Sequence, residues 1–307
     1  MSYQAISKPR LYVNVPQYQH YIGQSDFVES FFTLPVGTTF KTLPSGTKAM
    51  FDGQMTEKMF LAILGHKFGS TGGEYGVGGG IDLYPVINGQ SQDSNISPDL
   101  DGFSISTFNG EGASTFAHEE MVCGSYVIGF YYDFPRAPDL NLTLSYEYDG
   151  VEQRTLPGGY SVNNIYYTQS PKWGDLGAWE LSNPEDDDDK AVEYSSYARN
   201  GRRVWDLSFS YLEETDVFAE RMQITDVWSS HSNTLGSSDT LSRVLQYSVG
   251  GLLPMIFMPD ASLDSEGNYN NTQPDNFAIV GIVQKSLKFQ KVTDSHYNVR
   301  MKLRETW

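Results

Sequence analysis

Along residues 204–211 apolar and polar positions alternate: Trp205, Leu207, Phe209 and Tyr211 are separated by Asp206, Ser208 and Ser210. Successive side chains of a strand point to opposite faces, so this period of two marks a strand with one buried and one wet face. Residues 299–304 alternate in the same way, with Val299, Met301 and Leu303 between Arg300, Lys302 and Arg304. Trp205, Leu207, Phe209, Met301 and Leu303 are therefore the expected core of the C-terminal stretch. Residues 60–68 form an apolar run that enters glycine-rich sequence, and residues 59–64 are read as a strand.

The same reading places strands at 10–15, 28–34, 126–132 and 140–146. The run at 126–132 is apolar on both faces, as a central strand should be. Asp149-Gly150 is a hairpin signal. Further strands are expected at 255–258, 277–283, 285–290 and 297–304. One helix is expected, at 239–249: Ser238 or Asp239 can cap it, Leu241, Val244, Leu245 and Ser248 share a face, and Gly250-Gly251 stops it.

The order predicts a mainly β protein. A β-sandwich of jelly-roll or discoidin-like type, with an N-terminal extension, is expected over 1–183. An acidic linker follows at 184–195, and a small α+β unit with one helix at 196–307. The linker contains four adjacent aspartates, Asp186 to Asp189, whose mutual repulsion favours exposure. This run matches a protease recognition sequence and is also open to a surface calcium reading, although it lacks EF-hand spacing.

Composition sharpens this picture in three ways. Twenty Tyr and 17 Phe favour strands, and 29 Gly with 14 Pro supply turns. The net charge of −17 leaves no basic field of the kind that holds nucleic acid. Cys123 is the only cysteine, so no intrachain disulfide forms, and its apolar setting reads as a packed thiol. No run of eighteen apolar residues appears, so no membrane insertion is expected.

Catalytic spacings are missing. The glycines at 76–80 lack the third glycine of a dinucleotide fingerprint, position 81 being Ile. His118-Glu119-Glu120 begins like a zinc-protease helix without its second histidine, and the five histidines, at 20, 66, 118, 231 and 296, have no metal-ligand spacing. No Gly-x-Ser-x-Gly elbow occurs. Carboxylates such as Asp99, Asp101, Glu119 and Glu120 pair by chance in a chain with 38 acids. The expectation is therefore a non-enzyme with no catalytic residue, cofactor or metal site. Trp173 and Trp179, with Tyr131 and Tyr132, are the candidate contacts for a glycan or a protein partner, since aromatic rings stack on sugars.

Two segments carry a resemblance. Residues 62–68 with the later strand 128–132 resemble discoidin-like sandwiches of tailed-bacteriophage tail proteins. Residues 131–140 and 201–211 look like segments of marine-phage structural proteins. The C-terminal half is similar in pattern to distal tail and minor tail proteins: a Trp-x-Leu-x-Phe strand, a helix, the strand around Leu253-Pro254-Met255 and a final strand. The order differs, because here the sandwich comes first. The resemblance implies a virion structural protein of the tail tip or baseplate, made in the bacterial host cytoplasm. Its expected partners are itself, in a sixfold ring, the tail tube and hub proteins, and host surface glycans. The alternatives are a glycan-binding module, a glycan-degrading enzyme and a head-to-tail connector.

Overall fold

The computed structural model describes residues 6–23, 41–43, 48–49, 58–64, 103–108, 114–115, 121–123, 125–140, 143–147, 151–165, 202–220, 235, 238–262 and 277–306. The protein is mainly β, and every ladder among the described residues is antiparallel. In chain order the strands are β1 (Arg10–Asn14), β2 (Lys41–Leu43), β3 (Lys48–Ala49), β4 (Met59–Leu64), β5 (Phe103–Phe108), β6 (Ser114–Thr115), β7 (Met121–Cys123) and β8 (Ser125–Asp133). There follow β9 (Thr143–Glu147), β10 (Val151–Thr155), β11 (Ser161–Ile165), β12 (Arg202–Glu213), β13 (Met255–Met258), β14 (Ala278–Ile282), β15 (Lys288–Lys291) and β16 (His296–Glu305). Three short helices are α1 (Val15–Tyr21), α2 (Glu214–Val217) and α3 (Leu241–Tyr247).

One ten-stranded sheet organises the molecule, in the order β5-β4-β8-β1-β13-β14-β16-β12-β9, with β15 paired to β16. Three two-stranded ladders, β2–β7, β3–β6 and β10–β11, stand apart from it. The large sheet draws on both expected domains. β1 lies between β8 and β13, and β9 pairs with β12. Main-chain pairing thus crosses the expected boundary, while residues 184–195 themselves lie outside the described residues. So do the strand expected at 28–34, the glycines at 76–80, and Trp173 and Trp179.

Alternation sets the faces. Trp205, Leu207 and Phe209 point to the same side as Val299, Met301 and Leu303, because Trp205 opposes Leu303 and Leu207 opposes Met301. All six are buried in a cluster that continues through Phe257 and Met255, Leu11 and Val13, and Phe130 and Tyr132, and that includes Leu241 and Val244 of α3. Phe134 stacks on Phe209 with ring centroids 4.4 Å apart, and Trp205 meets Phe257 edge-on at 5.2 Å. Such pairs add to the burial of large apolar surface. At one end of the cluster Arg203 forks onto Glu305 with 2.8 and 3.1 Å hydrogen bonds and also donates to the Phe277 carbonyl. This fork fastens β12 to the end of β16.

The structure departs from the pattern at four places. Tyr211 does not continue the buried face: it has φ 56° and is 52% exposed, and Leu212 takes the inward position. The register between β12 and β16 shifts between Phe209 and Leu212, so a bulge supplies the extra residue. The hairpin lies later than Asp149-Gly150. β9 pairs with β12, and β10 turns through Leu156-Pro157-Gly158-Gly159-Tyr160 into β11. Gly159, at φ +81°, provides that turn's left-handed residue.

There are also three helices among the described residues and not one. In α1, Pro16 sits in the first turn, where its fixed φ suits a helix start, and this ends β1 at Asn14. Finally, α3 begins after Thr240, since Ser238 hydrogen-bonds Thr240 and Asp239 reaches Lys58.

Candidate functional site

The described residues bring charge together where the sheet meets α2 and α3. Arg10 of β1 opposes Asp133 of β8 in register, and the two side chains form an ion pair. Arg10 is nearly buried and also lies 4.0 Å over the Tyr131 ring. Lys58, just ahead of β4, lies 3.4 Å from Asp133 and 2.6 Å from Asp239. Arg10, Asp133, Lys58 and Asp239 thus form a chain of alternating charge that ties β1, β8 and the approach to β4 to the start of α3. Burial works against the Lys58 charge, but the Asp239 hydrogen bond and the Asp239 and Asp133 carboxylates outweigh it and hold its pKa above the ordinary lysine value.

Asp239 also lines a cleft of about 740 Å³ bounded by Glu213, Glu214, Phe218, Glu220 and the β15–β16 turn at Ser295 and His296. Local sequence shapes this wall. The Glu213 side chain and Asp216 form a reciprocal capping box at the start of α2, with Asp216 Oδ2 accepting from the Glu213 amide at 3.2 Å. The Glu214 amide donates to the Ser295 carbonyl. Burial, with the neighbouring Glu213 and Asp239 charges, raises the Asp216 carboxyl pKa despite its backbone hydrogen bond. His296 Nδ1 is held by Thr293 Oγ1 at 2.9 Å and Ser295 Oγ at 3.0 Å. An acid-walled, half-open cleft of this kind suits a cationic group; no cluster of three or more metal-ligating side chains occurs among the described residues.

A second charged group lies within the core. Arg243 of α3 packs 3.8 Å over the Phe130 ring, and Phe130 is edge-on to Tyr247. Burial lowers the Arg243 pKa to about 10, against the opposing effects of Tyr247 and Asp239.

The aromatic pair named from the sequence does not form a sugar platform. Tyr131 is 8% exposed and lies between Arg10 and Tyr12 on one face of β8. Tyr132 points to the other face, is 2% exposed and donates its hydroxyl to the Asp216 carbonyl at 3.1 Å. Both rings are used in packing, Tyr131 against Arg10 and Tyr12 and Tyr132 against Phe134, so neither ring is open to a ligand. Of the remaining expected site residues, Trp205, Leu207, Phe209, Met301 and Leu303 are core, each 2% exposed or less. Cys123 lies in β7, opposite Lys41 of β2. The ion-pair chain escapes a sequence reading because its partners are far apart, 123 residues for Arg10 and Asp133 and 181 for Lys58 and Asp239. The run of acids at Glu213, Glu214 and Asp216 is the one available signal for the cleft.

No family model, curated protein or solved structure matches the chain.

Proposed function

We propose that this chain is a structural protein of the phage virion, built into the tail tip or baseplate as a ring that joins the tail tube to the host-recognition apparatus. In this reading the N-terminal stretch supplies the discoidin-like or jelly-roll part, the stretch 196–307 supplies the ring contacts, and the chain has no catalytic task. The partners are further copies of itself, in a hexamer, and the neighbouring tail tube and hub proteins.

The observation that carries the reading is the β10–β11 arm. Its side chains are exposed from 153 to 163, on both faces, and they include Leu156 at 48%, Tyr160 at 77% and Val162 at 46%. A lone two-stranded hairpin is marginal in water, and apolar side chains on it gain burial only from something beyond the arm. An assembly supplies that surface, and it also covers strand edges that otherwise invite unspecific pairing. The arm follows β9, the last strand of the large sheet, so it leaves the body at a sheet end.

Immunogold labelling of intact virions with antibodies to the purified protein tests this assignment. Gold at the tail tip is expected. Gold on the head, or unlabelled particles beside a positive denatured control, contradicts it. In parallel, purified protein is expected to leave polysaccharides and peptidoglycan uncleaved; turnover that disappears on replacing one or two carboxylates contradicts the structural role.

A further inference from the structure

The chain is acidic overall, yet its last strands are not. Lys285, Lys288, Lys291, Arg300, Lys302 and Arg304 fall within twenty residues that hold a single acid, Asp294, in a protein of net charge −17. The register places four of them, Lys288, Arg300, Lys302 and Arg304, on one face. Lys288 of β15 directly opposes Arg300 of β16, and period two puts Lys302 and Arg304 on the same side as Arg300, away from the core. Two carboxylates share this face: Asp206 takes a bidentate pair from Arg300 at 2.8 and 3.0 Å, and Glu147 pairs with Arg304. On this face Lys288 is exposed and Lys302 half-buried; Lys291 opposes Tyr297 and so falls on the other side of β15. The surplus on this face is therefore positive.

The cleft presents the opposite sign. Glu213, Glu214 and Glu220 are exposed along its wall, with Asp239 at its edge. One chain thus carries a basic sheet face and an acidic cleft. Like charges packed this densely on each surface repel one another, and a surface of the other sign relieves both.

We infer that the β15–β16 face docks into the α2-side acidic cleft of a second copy of this chain, so that electrostatic complementarity sets which surfaces meet in the assembly. The inference rests on the self-assembly in the proposed function and supplies its contact. The occupant is a second copy because the acid that complements the face is built into the same chain, and because each copy offers both halves of the contact, as repeated association requires. A contact of this kind is formed and released by salt, since screening shortens from about 10 Å at ~0.1 M to about 3 Å at ~1 M.

The test is a charge swap read by native mass measurement of the full chain. Lys288→Glu/Lys302→Glu reverses the basic face, and Glu214→Lys/Glu220→Lys reverses the acidic wall. Lys288, Glu214 and Glu220 are exposed and Lys302 is half-buried, so folding is expected to persist, and a thermal melt of each variant verifies that. Wild type is expected to assemble at low salt and dissociate at high salt. Each double variant alone is expected to be monomeric. An equal mixture of the two, and the single chain carrying all four changes, are expected to regain the wild-type mass, because opposite signs face each other again. Recovery on mixing also excludes misfolding as the cause of the loss. If wild type assembles and either double variant assembles equally well, or if the mixture stays monomeric, the docking is wrong while the ring reading stands. If wild type is monomeric at every salt concentration, both fall.

Discussion

Trp205 is the residue the alternation most clearly turns inward, and the structure buries it. It is 2% exposed, opposes Leu303, meets Phe257 edge-on and lies under the Arg203 guanidinium at 5.2 Å. Trp205→Ala is expected to cost about 3–5 kcal/mol. Because β12 belongs to the sheet that also holds β1 and β8, the loss should appear as one lowered melting transition of the whole sheet and not of a C-terminal unit alone. A variant that melts like wild type contradicts the packing. Asp206, one residue on, faces the other way and holds Arg300. That hydrogen bond, aided by the Arg300 and Lys302 charges and opposed by slight burial, keeps its carboxyl pKa below the ordinary value. A carboxyl with a lowered folded pKa contributes stability above its unfolded pKa of ~3.9 and loses it as pH falls through the folded value. Asp206→Asn is therefore expected to be slightly less stable than wild type at neutral pH, with the difference closing below pH ~4. A difference that grows in acid reverses the sign and refutes the pair. Gly129 carries a different kind of constraint. A Cβ there would lie 1.8 Å from the Val13 carbonyl oxygen of the neighbouring strand, so Gly129→Ala has to push β1 from β8. The expected cost is at least about 1–3 kcal/mol, read by denaturant melts. Alternation foretells Trp205 and the inward side of β16, because burial follows directly from period two. It is silent on Gly129, whose need arises only from the approach of a strand more than a hundred residues away.

At the scale of elements, strands with strong alternation are legible: β4 runs over the expected 59–64, and β13 over 255–258. The elements that escape are short or irregular. α1 and α2 are too short to show helical periodicity, and Pro16 is the one sign of the first. The bulge that turns Tyr211 outward depends on a positive φ that neither propensity nor pattern encodes. Asp149-Gly150 is the stronger turn signal and points to a hairpin between β9 and β10, but the register centres the turn on Pro157-Gly158-Gly159. The role proposed for the arm is expected to be separable from folding. Tyr160→Ser/Val162→Ser is expected to leave the melting temperature of the dissociated chain nearly unchanged, as exposed positions usually do, while weakening assembly measured by analytical ultracentrifugation. A large drop in stability with unaltered assembly contradicts an arm that acts between molecules.

For the whole molecule, the sheet order is not readable from the sequence. Composition and turn density give a mainly β protein, but strand pairing between β1 and β13, or β9 and β12, is set by partners hundreds or tens of residues away. The buried face of the sheet is foreseen through Leu207, Phe209, Met301 and Leu303; the ion-pair chain and the cleft are not, since each assembles acids and bases from distant segments. The acidic run at 185–190 is the expected place to cut the chain, and strand pairing decides whether the two pieces then part. Limited proteolysis within 184–195 is expected to leave two fragments that co-elute under native conditions, since hydrogen-bonded ladders join them, and that separate only in denaturant. Fragments that part freely contradict the shared sheet. The native mass of the purified chain at low salt tests the central claim most directly. A ring of six copies predicts one species at about six times the 34.4 kDa chain. A single species at the chain mass across all concentrations contradicts it.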